Sequence, residues 1–286
     1  MKKLILKLQL LVSLLLLAQA GCIKKTTVVP QSERLLPAKT ATRTELLQAL
    51  QEKSKQLETL KATVGIEFSR GGAKTGVLDE YRETKGYVFV ERPSHIRVQV
   101  QMPVVLTTVA IMVSDGQQYR LSIPVKNQFA IEDVNAPISP NSSLSNLRPQ
   151  IFLDGLFVDI TPYEGKQPLL EEAVVGTHSY YVFSFFDTSA SEPQLLEKLW
   201  IDRTGNMEVS RKQVFGKDGR LETDVDYQDY VGDGGQRYPK VIVIHRPLED
   251  FTVKMKFEKT ALNEKLDAKI FDLPRPEGSQ LVQVRK

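Results

Sequence analysis

Cysteine is almost absent from this chain: Cys22 is the only one. A body with a single thiol closes no disulfide and builds no thiolate metal site, so its core must hold without staples. Histidine occurs three times, as His95, His178 and His245, scattered through strand-like contexts. That scatter gives no His/carboxylate metal spacing, and no glycine-rich phosphate loop stands out either. Charge of one sign is also missing. The net formal charge is +3, from 38 basic and 35 acidic residues, and Lys2, Lys3 and Lys7 supply the whole excess. The remaining balance argues against nucleic acid, which needs a basic face. Long apolar runs are confined to the first residues. The greasiest later stretch, Met102 to Val113, is broken by Pro103, Thr107 and Thr108.

What is present begins with MKKLILKLQLLVSLLLLAQAGC. Three lysines open it, an apolar run follows from Leu8 to Ala18, and Ala20 and Gly21 lead directly to Cys22. This is the layout of a secretory signal. The apolar run is shorter than the ~20 residues that a membrane-spanning helix needs. A cysteine placed directly after small residues resembles the lipobox of bacterial lipoproteins, although Gln19 stands where that family usually has leucine. The resemblance implies acylation of Cys22 and stable attachment to a membrane, because two or more acyl chains anchor firmly where one does not. The expected organisation is a signal peptide at 1–21, an acylated cysteine with a flexible tether at 22–41, and one domain at 42–286. Ile23 to Lys39, with Pro30 and Pro37 and no steady period, reads as the spacer. A domain of that length lies within the range of a single large all-β fold.

Along the body, Thr44 to Leu60 reads as an amphipathic helix, with Leu46, Leu47, Leu50, Leu57 and Leu60 at helical spacing and Thr44 as its cap. The period then switches to two. His95–Gln101, Leu221–Gln228 and Phe251–Glu258 alternate apolar and polar residues, which marks strands with one dry and one wet face. Further strands are expected at Thr63–Arg70, Gly86–Glu91, Thr107–Ser114, Gln117–Ile123, Gln128–Glu132, Ser179–Phe186, Lys198–Asp202, Glu208–Phe215 and Pro239–His245. Turn signals at Asp115-Gly116, Arg203 to Asn206 and Lys217 to Gly219 punctuate them. A Pro/Ser/Asn loop at Ala136 to Asn146 interrupts the rhythm, and a second helical piece carries Leu144, Leu147, Ile151 and Phe152 on one face. Pro149 must kink that piece or start a new turn. The fold class is therefore mainly β: an antiparallel meander that curls over its dry face, with helices covering the opening.

Several of these segments together resemble a family. Gly86 to Arg97, with Arg92-Pro93 between two strands, is similar to the strand–RP–strand signature of the periplasmic lipoprotein carriers LolA and LolB. The continuation also fits: Val98 to Met102, the Pro103-led loop, then Val113 to Tyr119 with Asp115-Gly116. Leu144 to Leu156 looks like the family's lid helix, and Ile201 to Gly205 like a late strand end. The resemblance runs from Leu46 to Leu273 and implies an unclosed half-barrel with a helical lid over an apolar, acyl-binding cavity. An anchored member looks more like LolB, which passes lipoproteins into the outer membrane. The implied partners are lipoprotein acyl chains or another lipid, a membrane reached through the anchor, and a soluble LolA-like donor. The implied location is the outer membrane, facing the periplasm, and the implied state is a monomer. No nucleic acid, cofactor or metal is expected, and no catalytic residue is assigned. A longer tether and an extended carboxyl-terminal stretch depart from the family pattern.

An acyl carrier needs a dry cavity free of unpaired polar groups. The candidate lining is Phe89, Ile96, Val98, Val100, Ile111, Val113, Leu121, Tyr181, Phe183, Phe185 and Trp200. The same residues could equally form an ordinary packed core, since pockets and cores share composition. Val104, Val105 and Leu106 occupy the place of the family's membrane-insertion loop, where a hairpin turn would otherwise be polar. They could also simply feed the strand that follows. Three functions remain open: a lipoprotein-inserting carrier, a structural or sensory envelope lipoprotein that holds another lipid or a protein partner, or, behind both, an anchored hydrolase.

Overall fold

The computed structural model describes residues 30–283, except 73, 75, 103, 104, 106, 137–147, 190, 234 and 235. Cys22 and the expected signal peptide, Val104 and Leu106 of the loop, and Leu144 and Leu147 of the lid lie outside the described residues.

Helix α1 (Arg43–Gln56) comes first. The strands that follow are β1 (Thr59–Gly71), β2 (Leu78–Glu91), β3 (His95–Gln101), β4 (Thr108–Ser114), β5 (Gln118–Ile123) and β6 (Gln128–Asp133). Helix α2 (Pro149–Leu156) interrupts them. Then come β7 (Leu169–Val175), β8 (His178–Asp187), β9 (Gln194–Asp202), β10 (Val209–Phe215), β11 (Leu221–Val231), β12 (Tyr238–Arg246), β13 (Phe251–Leu262) and the two-residue β14 (Gln280–Leu281). All fourteen form one sheet in the order β14-β6-β5-β4-β3-β2-β1-β13-β12-β11-β10-β9-β8-β7. Every pairing is antiparallel except β14 with β6. The sheet is unclosed, with β14 and β7 as its edges. This is the half-barrel that the resemblance implies, built from the strands that the alternating runs predict.

Topology explains where α2 lies. β6 and β7 sit at or next to opposite ends of the sheet. Of the segment that joins them, α2 and the residues after it as far as Tyr163 lie over the concave face. Ile151, Phe152 and Leu156 enter the core there. Gly155 makes the close approach possible: a Cβ at this position would come within 2.2 Å of Ile244 Cδ1 on β12. Pro149 starts this helix at its first turn, where a missing N–H is harmless.

The core lies on the concave face, where register aligns apolar rows. Val88, Val98, Met112, Leu121 and Ala130 run side by side across β2 to β6. Ile66, Met255, Ile242 and Tyr227 run across β1, β13, β12 and β11. Helix α1 covers part of this face with Leu46 and Leu50. Thr42 caps it in a reciprocal box with Glu45, so the cap stands two residues before the expected Thr44. The helix also ends at Gln56, and Leu60 belongs to the sheet instead, fully buried in β1. Leu57 and Leu60 fit a helical face as spacing, but Leu60 is claimed by its strand partners Val90 and Leu262.

A smaller apolar cluster sits on the convex face. Val113, Phe129 and Leu273 form it, with Ile111 and Phe271 packed alongside. The carboxyl-terminal segment creates it by crossing β3 to β6. Arg97 Nη1 donates to Ile270 O at 3.0 Å, and Val282 N donates to Phe129 O at 2.8 Å. The amino-terminal approach is also tied down. Leu36 N donates to Thr177 O and Lys39 N to Arg203 O, both at 2.9 Å, and Arg203 Nε returns a bond to Lys39 O. The expected tether therefore docks on the domain from Leu36 onward.

Candidate functional site

Two chambers open between the helices and the concave face. The larger, about 410 Å³, lies under α1. Leu46, Ala49, Leu50 and Leu57 form one wall; Leu156, Phe157 and Val158 at the exit of α2 form another. Met207, Val209, Tyr227, Tyr230 and Tyr238 complete it from the sheet side. Two of the three tyrosine hydroxyls are engaged by backbone carbonyls. Tyr230 donates to Val209 O at 2.8 Å and Tyr238 to Leu156 O at 3.0 Å. The buried Tyr227 hydroxyl has no hydrogen-bond partner among the described residues. Burial pushes the Tyr227 and Tyr238 hydroxyls well above the usual phenol range, so both stay neutral. Polar residues gather at one side, where Glu208 pairs with Lys53 of α1 and with Arg237, the latter at 3.0 Å. The volume falls toward the small end of the roughly 300–1,000 Å³ typical of ligand pockets.

The second chamber, about 300 Å³, is polar. Asp154 of α2, Tyr163, Glu197 of β9 and Lys212 of β10 line it. Glu197 and Lys212 alternate with solvent-side neighbours along their strands, so both point inward among core residues. The Lys212 Nζ lies 3.6 Å from Glu197 Oε2 and donates to Phe157 O at 3.3 Å. Tyr163 donates to the same glutamate oxygen at 3.3 Å and stacks on Phe185. Burial raises the Glu197 carboxyl above its ordinary range; Lys212 opposes this and Asp154 adds to it. Burial likewise raises Asp154.

Arg92 and Phe157 wall both chambers. The Arg92 guanidinium pairs with Asp159, donates to Ser54 O, and reaches Leu57 O at 3.4 Å. It therefore ties the end of α1 to the segment that follows α2. Burial alone would raise Asp159. Bonds from Thr161 and Ser54 and the Arg92 guanidinium outweigh it and hold that carboxyl at about 2.

The residues expected to line a cavity divide by face. Ile96, Val98, Leu121, Tyr181, Phe183 and Phe185 lie on the concave face as packed core, and Val100 is half-buried against it. None of them lines either chamber. Phe89, Ile111, Val113 and Trp200 are on the opposite face, which corrects their assignment to the lining. Each sits one residue out of phase with a buried neighbour, as Trp200 does between Leu199 and Ile201. Trp200 meets Tyr180 edge-on and donates to Gln213 Oε1 at 3.0 Å, while Ile111 and Val113 are covered by the carboxyl-terminal segment. Alternation marks two faces without saying which is concave, and a covered convex patch looks like core. The lid residues Ile151 and Phe152 are buried in the concave core. At the β3–β4 turn, Met102 N donates to Thr107 O at 2.8 Å, and Val105 is 64% exposed. Sequence reasoning missed Glu197 and Lys212. Opposite charges at inward positions of neighbouring strands were the available signal.

An unclosed antiparallel sheet, curled over a helix-covered concave face, defines the class of fold. No protein-family model matches the chain, and no curated protein matches it. Solved structures do match. A LolA superfamily protein from Nitrosomonas europaea is 16% identical, with a TM-score of 0.50; the match covers 82% of this chain and 99% of that one. A DUF1329 family protein from Desulfovibrio piger is 13% identical, with a TM-score of 0.51, over 80% of this chain and 95% of that one. At such identities the likeness establishes the fold, a LolA-like half-barrel.

Proposed function

We propose that this chain is a lipid-anchored envelope protein that holds an acyl chain in the chamber under α1. In this reading it assists insertion of lipoprotein cargo into the outer membrane. The observation that carries the proposal is the 410 Å³ chamber, with the leucines of α1 on one side, Met207, Val209 and three tyrosines on the other, and its charged residues gathered at one side. A methylene occupies roughly the ~30 Å³ that water takes in the liquid, so the chamber accommodates about a dozen carbons of one chain. Each buried methylene contributes about 0.8 kcal/mol. A triacylated cargo would therefore place one chain here and leave the others to the membrane or to an opened lid. The exposed Val105 at the β3–β4 turn suits contact with a bilayer, and acylated Cys22 would keep the domain beside one. The arrangement serves binding and release; no residue is assigned a catalytic role.

The test is saturable binding of the fluorescent fatty acid cis-parinaric acid. Ala49 lines the chamber from an exposed position on α1. Ala49→Trp should weaken binding about tenfold, roughly 1.4 kcal/mol, with the melting temperature unchanged. Wild-type protein that binds no fatty acid would end the proposal. Native mass spectrometry of protein extracted gently from membranes addresses the cargo. A co-purifying triacylated peptide supports lipoprotein insertion. A phospholipid or glycolipid favours the structural or sensory reading.

A further inference from the structure

The polar chamber poses a charge problem that its own residues leave unsolved. Glu197 is 4% exposed and Lys212 5%. Their separation of 3.6 Å is long for a pair that has given up water on both sides. Removing two charges from water costs several kcal/mol each, and apolar replacements of such pairs are often neutral or stabilising. Stability therefore gives no reason for this pair. Glu197 Oε1, moreover, has no hydrogen-bond partner among the described residues, and Glu197 is one of the residues that line the chamber. Asp154 brings a second carboxylate, whose Oδ1 accepts from Gln150 Nε2 at 2.6 Å. Arg92 and Asp159 face the chamber but neutralise each other. Two carboxyls and one lysine remain; with both carboxyls ionised this leaves one negative charge in excess, beside a buried acceptor that has no partner among the described residues.

We propose that this chamber receives a primary ammonium group on an amphiphile whose chain lies in the larger cavity, with Glu197 Oε1 and the Asp154 carboxylate as its acceptors. The inference rests on the acyl-binding reading and names the headgroup chemistry. The shared wall of Arg92 and Phe157 places the two chambers side by side, as head and tail of one molecule require. An ammonium supplies both the missing charge and the missing donor, and hydrogen bonds of this charged kind are the strong ones. A divalent metal fits poorly: no group of three His, Cys, Asp or Glu side chains is gathered among the described residues, whereas zinc takes three or four such ligands and calcium or magnesium six or more oxygens. An anion would meet the excess negative charge. A hydroxyl could fill the acceptor but would leave the charge.

Dodecylammonium, dodecanol and dodecanoate share a chain and differ only in the head. Calorimetric titration of the full chain should rank dodecylammonium about tenfold or more above dodecanol, with dodecanoate weakest. In the double variant Glu197→Gln/Lys212→Met the ammonium loses the Glu197 carboxylate but keeps Asp154, so its preference over the alcohol should shrink; adding Asp154→Asn should make the two affinities converge. The double variant removes both buried charges together, so it should melt no lower than wild type. Asp154→Asn, on the half-buried flank of α2, provides a second variant and should also reduce the preference. Equal affinities for ammonium and alcohol in the wild type, a preference that survives both variants undiminished, or tightest binding of dodecanoate would each overturn the inference while leaving the acyl cavity standing. Failure of all three probes to bind would remove both.

Discussion

Among single residues, Arg92 is the junction. The sequence presents it as a charge before proline at a strand end, and only the fold shows it gathering α1, Asp159 and Phe157. Arg92→Ala should destabilise the domain by about 1–3 kcal/mol in urea denaturation, because the pair is partly buried and two helix-end carbonyls lose a donor. Its pH dependence has a definite sign. Asp159 is depressed from 3.8 to about 2, so its stabilisation is complete above pH 4 and is lost as pH falls through 3.8 toward 2. The advantage of wild type over Arg92→Ala should shrink across that window. Glu197 and Asp154 act in the opposite sense. Both are raised by burial, so the empty protein should gain stability from them as pH falls from neutral toward their ordinary values near 4.5 and 3.8. Glu197→Gln/Lys212→Met should flatten that gain. A melting profile that is identical in slope for wild type and double variant between pH 7 and 5 would contradict the raised carboxyls.

At the scale of elements, α1 combines a cap that the sequence nearly announces with a packing face that it announces fully. Thr42→Ala removes an exposed capping box and should cost about 1 kcal/mol. Leu50→Ala removes a buried side chain that also borders the larger chamber. It should cost about 2–4 kcal/mol, toward the low end, since part of its surroundings is already void. Thermal melts of the two variants rank them, and a larger shift for Thr42→Ala would mean that α1 is not held by its leucines. The strands were legible wherever one face is wet. β3 spans His95–Gln101 as its alternation predicts. β7 was missed because Leu169 to Val175 is an edge strand without a clean dry face, its residues exposed or half-buried. β14 is two residues long and exists through pairing with β6, which no local pattern can signal.

For the whole molecule, connectivity decides how the site is built. β6 and β7 lie far apart in the sheet, and α2 with the residues after it delivers Asp154, Phe157, Asp159 and Tyr163 to the concave face. The proposed anchor belongs to the same scale. From Cys22 to the docked Leu36 the chain reaches at most about 50 Å, at roughly 3.3–3.6 Å per residue. No described helix is long and apolar enough to cross a bilayer. In the anchored reading proposed above, Cys22→Ser should move the protein from the membrane fraction to the soluble one and abolish metabolic labelling with fatty acid. Retention of the unlabelled variant in membranes would argue against an anchor made of lipid alone.

The sequence by itself determined the β class, most strand positions, the leucine face of α1 and the role of Pro149. Each of these follows from local periodicity and backbone restriction, which act within a few residues. Only the tertiary structure decided which face is concave, where the chambers lie, and that Glu197, Lys212 and Asp154 meet. Those outcomes depend on register across β8 to β11 and on a crossing between distant strands. Phe89 and Val98 look equivalent in an alternating pattern, and Lys212 looks like any solvated lysine, until the curl of the sheet assigns one side of each strand to the interior.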